Sequence, residues 1–214
     1  MVYIIFICFA VPLVFMLSLI NSKSRWIISF MLLGAAVAVS SAEINSVIAS
    51  AFDLSPIEVS IKTAPVIEEV LKAAPVLMFA LLQTDDRHIV LSLAMSVGIG
   101  FAILENSYIL INNPGAVSLG WAVIRGASTS LMHGMCTFCI GCGIIFVRKQ
   151  KKLFYTGTFG LLAAAITFHA CFNLLVFSRW DKAGLLMPIS VYLVSQFILN
   201  RKKLLKYANK SIKK

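Results

Sequence analysis

Charge is what this chain is poorest in. Only 13% of its residues are Asp, Glu, Lys or Arg, where a soluble domain carries about a quarter, and the mean hydropathy is +0.91. A water-soluble globular protein is excluded, and the expected fold is an all-α polytopic membrane bundle. Spans of about 20 residues each consume nearly all of the 214 residues, so residues 1–214 read as one integral membrane domain without a soluble partner domain. Internal repeats and low-complexity segments are absent. No small-residue cleavage site follows the apolar run 2–20, which therefore reads as a retained helix rather than a signal peptide. The five cysteines all lie in apolar runs, which argues against an extracellular disulfide framework. Cys136, Cys139 and Cys142 follow one another at three-residue spacing, but on one helix the outer two diverge by roughly 240°, so they cannot share an ion and read as packing residues. The excess of basic residues falls in short clusters between apolar runs, as membrane topology requires; a nucleic-acid partner is not implied.

Apolar runs and breakers predict about seven spans: 2–20, 26–51, a third ending near Gln83, 89–111, 119–147, 153–177 and 185–199. Ser55, Pro56 and Glu58 form a capping box with proline at the first helical position, so a short helix begins at Pro56, and Pro65 marks a bend before the third span. Asn112-Asn-Pro-Gly115 reads as a turn. Between the spans, 14 Lys and Arg fall on one side against 3 on the other. That bias puts the amino terminus outside and the carboxyl terminus, with a basic tail over 200–214, in the cytoplasm.

Against this background a few residues are out of place. Glu68, Glu69 and Lys72 on the third span, Glu105 and Asn106 on the fourth, Arg125 and His133 on the fifth, and His169 and Asn173 on the sixth are ionisable or polar groups in hydrocarbon. Each charge there costs roughly 2.5–3.5 kcal/mol on insertion scales. Nothing in a helical bundle requires that cost, so these residues are candidates for function. At ~1.5 Å per residue, Glu68 and Glu105 lie roughly 9 Å from the outer helix ends, His169 and Asn173 roughly 7–13 Å, and His133 roughly 15–21 Å. Spacing of four places Glu68 with Lys72, Phe101 with Glu105, and His169 with Asn173 on shared faces. One water-admitting cavity among the third to sixth spans accommodates all of them.

Carboxylates and imidazoles at one point serve two kinds of hydrolysis. Glutamate and histidine can hold Zn2+ and leave a position for water; alternatively a glutamate acts as general base, with a histidine and Asn173 stabilising an oxyanion. The HExxH zinc motif is missing, which weighs against the metal version without removing it. Two other roles use the same charges: a non-catalytic membrane scaffold, and a proton- or ion-coupled carrier. Lys72 and Arg125 read as neutralising partners of the acids, Glu43 and Asn45 as either cavity lining or interhelical glue, and His88 as part of a solvated turn.

In order and on successive spans, Glu68-Glu69-x-x-Lys72, Gly100-Phe101-Ala102-x-x-Glu105-Asn106, Arg125 with His133 eight residues later, and His169-x-x-x-Asn173 resemble the PrsW family of bacterial intramembrane proteases. That family is grouped with the CAAX prenyl endopeptidases and the APH subunit of gamma-secretase. The resemblance covers about residues 60–177. It implies a multi-pass protein of a bacterial-type cell membrane that hydrolyses membrane-anchored proteins on the extracytoplasmic side, such as an anti-sigma factor. It assigns catalysis to Glu68, Glu69, Glu105, His133, His169 and Asn173, with Lys72, Asn106 and Arg125 in support; in the metal version Glu69, Glu105, His133 and His169 hold Zn2+. Asn21–Arg25 lacks the acidic-proline pattern of many members, and Leu91-Ser-Leu-Ala94 replaces a glycine-rich approach to the fourth span; the acid and histidine positions are intact.

Overall fold

The computed structural model describes the backbone of residues 2–113 and 118–212, and their side chains except Lys23 and those from 199 onward. Among these residues there are helices and connecting turns and no strands. Seven long helices are α1 (Val2–Leu17), α2 (Ser22–Phe52), α4 (Ala64–Leu82), α5 (Arg87–Asn112), α6 (Leu119–Ile144), α7 (Lys151–Val176) and α8 (Asp181–Ile212). A single helical turn, α3 (Pro56–Glu58), and a π-helical turn over Val59–Thr63 precede α4. Among the described residues, three stretches are long and apolar enough to cross a membrane: Ser24–Phe52, Arg87–Asn112 and Lys151–Val176. The expected turn at Asn112–Gly115 falls partly, and the side chains of the basic tail wholly, outside the described residues.

The local chemistry explains the breaks. Ser55 accepts from Glu58 N and Glu58 accepts from Ser55 N, closing the capping box at Pro56. Pro65 has no N–H and its ring crowds the carbonyl four residues back, and the chain widens just before it: Ala64 N donates to Val59 O, five residues away. The bend expected at Pro65 takes this form. In the wide register the donor for Ser60 O would be residue 65, a proline, so that carbonyl needs a partner from elsewhere. At the other end of α4, Arg148 donates to the carbonyls of Leu81 and Gln83, satisfying acceptors that a helix end leaves open.

α5 is the central helix, packed most extensively against α2 and α6. Small residues permit this. Gly100 lies against the Met31 backbone and Gly34 against that of Val97, so a Cβ at either glycine would strike α2 or α5 backbone. Gly98 stands in the same relation to the carbonyl of His133 on α6. The main apolar core joins α4, α5, α6 and α7 through residues such as Val76, Ala80, Val97, Ile140 and Phe172, with Trp26, Phe30 and Phe79 meeting edge to face beside it. A smaller cluster of Ile5, Ala35, Ala38, Phe101 and Leu104 joins α1 and α2 to α5. Cys136 is buried and Cys139 and Cys142 are half-buried, all three as free thiols.

Candidate active site

The inward face of α4 carries Glu68, Glu69 and Lys72 into the bundle, where Glu69 and Lys72 lose all contact with solvent. A fully buried ammonium and carboxylate are tolerable only as a paired, hydrogen-bonded set. Lys72 Nζ donates to Glu69 Oε1 at 2.6 Å and to His133 Nδ1 at 2.8 Å, and lies 4.5 Å from the centre of the Phe101 ring. With an ammonium donating to its Nδ1, His133 holds its proton on Nε2, which donates to Glu105 Oε2 at 3.1 Å. His169 Nδ1 donates to Glu69 Oε1 at 2.8 Å. The two imidazoles meet edge to face with centroids 4.9 Å apart, and Phe101 closes the other side of His133 at 4.7 Å.

Four helices thus bring five of the sequence-predicted residues to one point: Glu68 and Glu69 on α4, Glu105 on α5, His133 on α6 and His169 on α7. The close approach at Gly98 sets the turn of α6 that carries His133. Lys72 joins the cluster, through Glu69 three residues back rather than Glu68 four back.

The remaining three predicted residues stand apart. Asn173 Nδ2 donates to Ser60 O at 2.7 Å, supplying the partner that the wide turn before α4 requires, and so ties α7 to the start of α4. Asn106 donates to Thr129 Oγ1 at 2.5 Å, between α5 and α6. Arg125 stacks near Trp121 and lines, with Ser60, Glu105 and Asn173, a cavity of about 80 Å³. Asn45 is interhelical glue, accepting from Thr63, while Glu43 accepts from Tyr3 and lines the cavity in front of the acids. Sequence reasoning missed Gly98, Ser60 and Thr129 as positioning elements. Only Gly98 had a signal, a small residue on a span one helical turn before Phe101.

Glu68, His133 and His169 each offer one ligand atom, all within 4.8 Å of one another. His169 Nε2 faces Glu68 Oε2 at 3.8 Å, and that oxygen is buried without a hydrogen-bond partner. A buried orphan carboxylate oxygen facing an imidazole nitrogen fits a cation. So does the support behind it, since Glu69 holds His169 Nδ1–H as metal-binding histidines are usually held from their far side. The donor set, one carboxylate and two imidazoles, is that of hydrolytic zinc centres. It shares both histidines with the set implied by the resemblance but takes Glu68 as its acid. Glu69 Oε1 accepts from Lys72 and His169 while its Oε2, like that of Glu68, is buried without a hydrogen-bond partner, and Glu105 is engaged with His133 Nε2.

A family model described as PrsW family intramembrane metalloprotease matches residues 22–200. No curated protein and no solved structure matches the chain significantly.

Proposed function

Because the chain belongs to the PrsW family of intramembrane metalloproteases, we propose that the acid–imidazole cluster is a peptide-hydrolysing centre acting on membrane-anchored proteins near the extracytoplasmic face. The observation that carries this reading is the orphan oxygen of Glu68 among two buried imidazoles drawn from separate helices. Burial of this kind gains nothing for packing. An ion pair alone would need one acid, and Glu69 already serves Lys72.

Glu68, His133 and His169 would hold the zinc ion, which when bound supplies Lewis acidity, polarising a carbonyl and making water acidic near neutral pH. His133 would offer one ring nitrogen to the ion, and Glu105, hydrogen-bonded to its Nε2, orients the ring. Lys72, paired with Glu69, holds the ring from its Nδ1 side. Glu69 fixes the tautomer of His169. Glu105 is the most exposed acid of the cluster, its side chain 30% accessible against 10% for Glu68, and it borders cavities on both sides; it acts as general base toward water and returns the proton to the leaving amine. Asn173 and Arg125 position α7 and Glu105 from behind. Seven spans with the amino terminus outside would set this centre in the outer half of the bilayer, where an anti-sigma factor or similar single-span protein presents its extracytoplasmic segment.

The test pairs cleavage with metal content. A doubly tagged single-span reporter co-expressed with the protein is cut by the wild type and falls below detection with His169→Ala; Glu105→Gln loses about 10²–10⁴-fold. Purified wild type carries one zinc per chain by elemental analysis, and His133→Ala carries none. Equal cleavage by wild type, His169→Ala and Glu105→Gln would sink the assignment.

A further inference from the structure

The ends of four helices meet at one corner of the bundle: α5 finishes at Asn112, α6 starts at Leu119, α7 finishes at Val176 and α8 starts at Asp181. A cavity of about 470 Å³ opens among them, and it shares no lining residue with the cavity in front of the acids. Its polar groups are strangely placed. Arg125 lines it with its Nε buried and without a hydrogen-bond partner, and among the described residues no carboxylate pairs with the guanidinium. Its near neighbour is the face of the Trp121 ring, 5.4 Å away. Asp181 lines the same cavity, also without an ion pair among the described residues. Asn113 Nδ2 donates to Ile109 O, which leaves its Oδ1 to accept.

A cation in an apolar helix is costly unless its charge is met, and a guanidinium meets a phosphate through paired N–H donors. Arg125 therefore calls for an oxyanion. A ligand that is only anionic would be repelled by Asp181 on the other wall, so the oxyanion must carry a cation with it. With Asp181 and Asn113 Oδ1 as acceptors, that cation is one with N–H groups to donate, a primary ammonium rather than a quaternary one. The remaining walls are apolar, formed by Ile109, Val176, Phe177 and Leu185. Helices end at this level and a tryptophan stands there, as at a membrane–water interface. An amphiphile matches such walls and a free solute does not.

We propose that this cavity binds a phospholipid with an aminoethyl phosphate headgroup. Arg125 holds the phosphate, Asp181 and Asn113 take the ammonium, and the apolar walls cover the glycerol and the first carbons of the acyl chains. The volume lies within the roughly 300–1,000 Å³ of small-molecule sites. The site stands whether or not the acid–imidazole cluster hydrolyses peptides. It also gives Arg125 a counter-ion of its own, on the side of the guanidinium away from the small cavity that it shares with Glu105.

Native mass spectrometry of the full chain tests it, with protein delipidated in detergent and mixed with equimolar phosphatidylethanolamine, phosphatidylcholine and phosphatidylglycerol of matched acyl chains. Wild type retains phosphatidylethanolamine at least tenfold over the other two. Arg125→Gln lowers that retention at least tenfold, and Arg125→Lys, which keeps the charge without the fork of donors, lowers it less. Asp181→Asn removes the preference over phosphatidylglycerol, whereas Val123→Leu on the exposed face of α6 changes nothing. Equal retention of the three lipids by wild type overturns the site, as does wild-type selectivity in both Arg125→Gln and Asp181→Asn. Free phosphoethanolamine at the lipid's concentration leaves the lipid bound; full displacement by it would make the ligand a soluble one and overturn the lipid. Thermal unfolding without lipid separates a lost site from a misfolded Arg125→Gln. Asp181 is exposed, so the selectivity of Asp181→Asn decides the question even where Arg125→Gln does not fold.

Discussion

The two flanks of α5 are built on opposite principles. On the α6 and α7 side, backbones touch at Gly98 and a buried chain of hydrogen bonds runs from Glu105 through His133, Lys72 and Glu69 to His169. On the outer side, α1 buries a single residue, Ile5, and meets α2 through one side-chain hydrogen bond, Tyr3 to Glu43. The contrast teaches a division of labour. Chemistry needs donors and acceptors fixed in place, and a mesh of buried polar groups fixes them because each would be costly unpaired. Admission of a chain needs a wall that yields, and a helix with little buried surface is the low-stability element from which moving parts are drawn.

The deepest way to break the tight flank is to remove its cation. Lys72→Met leaves the Glu69 carboxylate buried with only His169 to serve it, and breaking a buried pair in this way costs about 3–5 kcal/mol. The expected result is a large fall in thermal midpoint together with loss of zinc and cleavage, while Glu69→Gln/Lys72→Met recovers much of the stability and none of the activity. A midpoint unchanged in Lys72→Met would mean that the pair contributes nothing to the fold. Next is Gly98→Val. Its side chain meets the His133 carbonyl, so α5 and α6 must separate, at a cost of about 1–3 kcal/mol for overpacking. The expected phenotype is a protein that still inserts but is less stable and binds zinc weakly, checked by thermal unfolding in detergent and by elemental analysis.

These sites were unevenly legible in the sequence. The five residues that converge stood out because ionisable groups in hydrocarbon need a reason, and helical spacing put them on inward faces. Which acid serves Lys72 was not legible: positions three and four residues back share one face, and the imidazoles of α6 and α7 decide for Glu69. Estimated depths set His133 below Glu105, yet the two bond directly, because a span's first residue is a poor ruler for a side chain that reaches toward a neighbour. The role of Asn173 was hidden entirely. It depends on the π-helical turn before Pro65, and a proline announces a break without saying which carbonyl it strands. The seventh predicted span, 185–199, extends in the structure as α8 over Asp181–Ile212; hydropathy marks where a helix leaves the apolar phase, not where its backbone stops, and leucine, lysine and alanine sustain a helix in either phase.

The loose flank is probed by a lighter change. Tyr3→Phe removes the hydroxyl that Glu43 accepts from and leaves the ring, so stability moves little, because both groups are exposed and water replaces the lost partner. Its effect belongs to admission rather than chemistry. Cleavage of the doubly tagged single-span reporter changes at low substrate expression and converges with wild type when the reporter is abundant, with zinc content unaltered. A change in zinc content would place Tyr3 in the tight flank instead.

The smallest effect is expected at the exposed turn where α3 begins, outside the spans. Lys62 beside Glu58, with the backbone and hydroxyl of Ser55, holds its carboxyl down at about 2 from an ordinary 4.5. A carboxyl depressed in the folded state adds stability that is present above its unfolded value and lost as pH falls through its folded value, so the window runs from about 4.5 down to about 2. The pair is solvent-exposed, and exposed pairs are screened by water and salt. Glu58→Gln should therefore lower the thermal midpoint slightly at pH 7, by less at pH 3, and cease to do so only below about 2. Added salt weakens the Lys62 contribution and spares the capping contacts with Ser55, because ion pairs at the surface are screened while short hydrogen bonds at a helix start are not. A midpoint difference that grows toward low pH would reverse the sign and show that Glu58 is held by something other than Lys62 and the cap. Unchanged zinc and cleavage in the same variant would separate this edge of the fold from the flank that carries the chemistry.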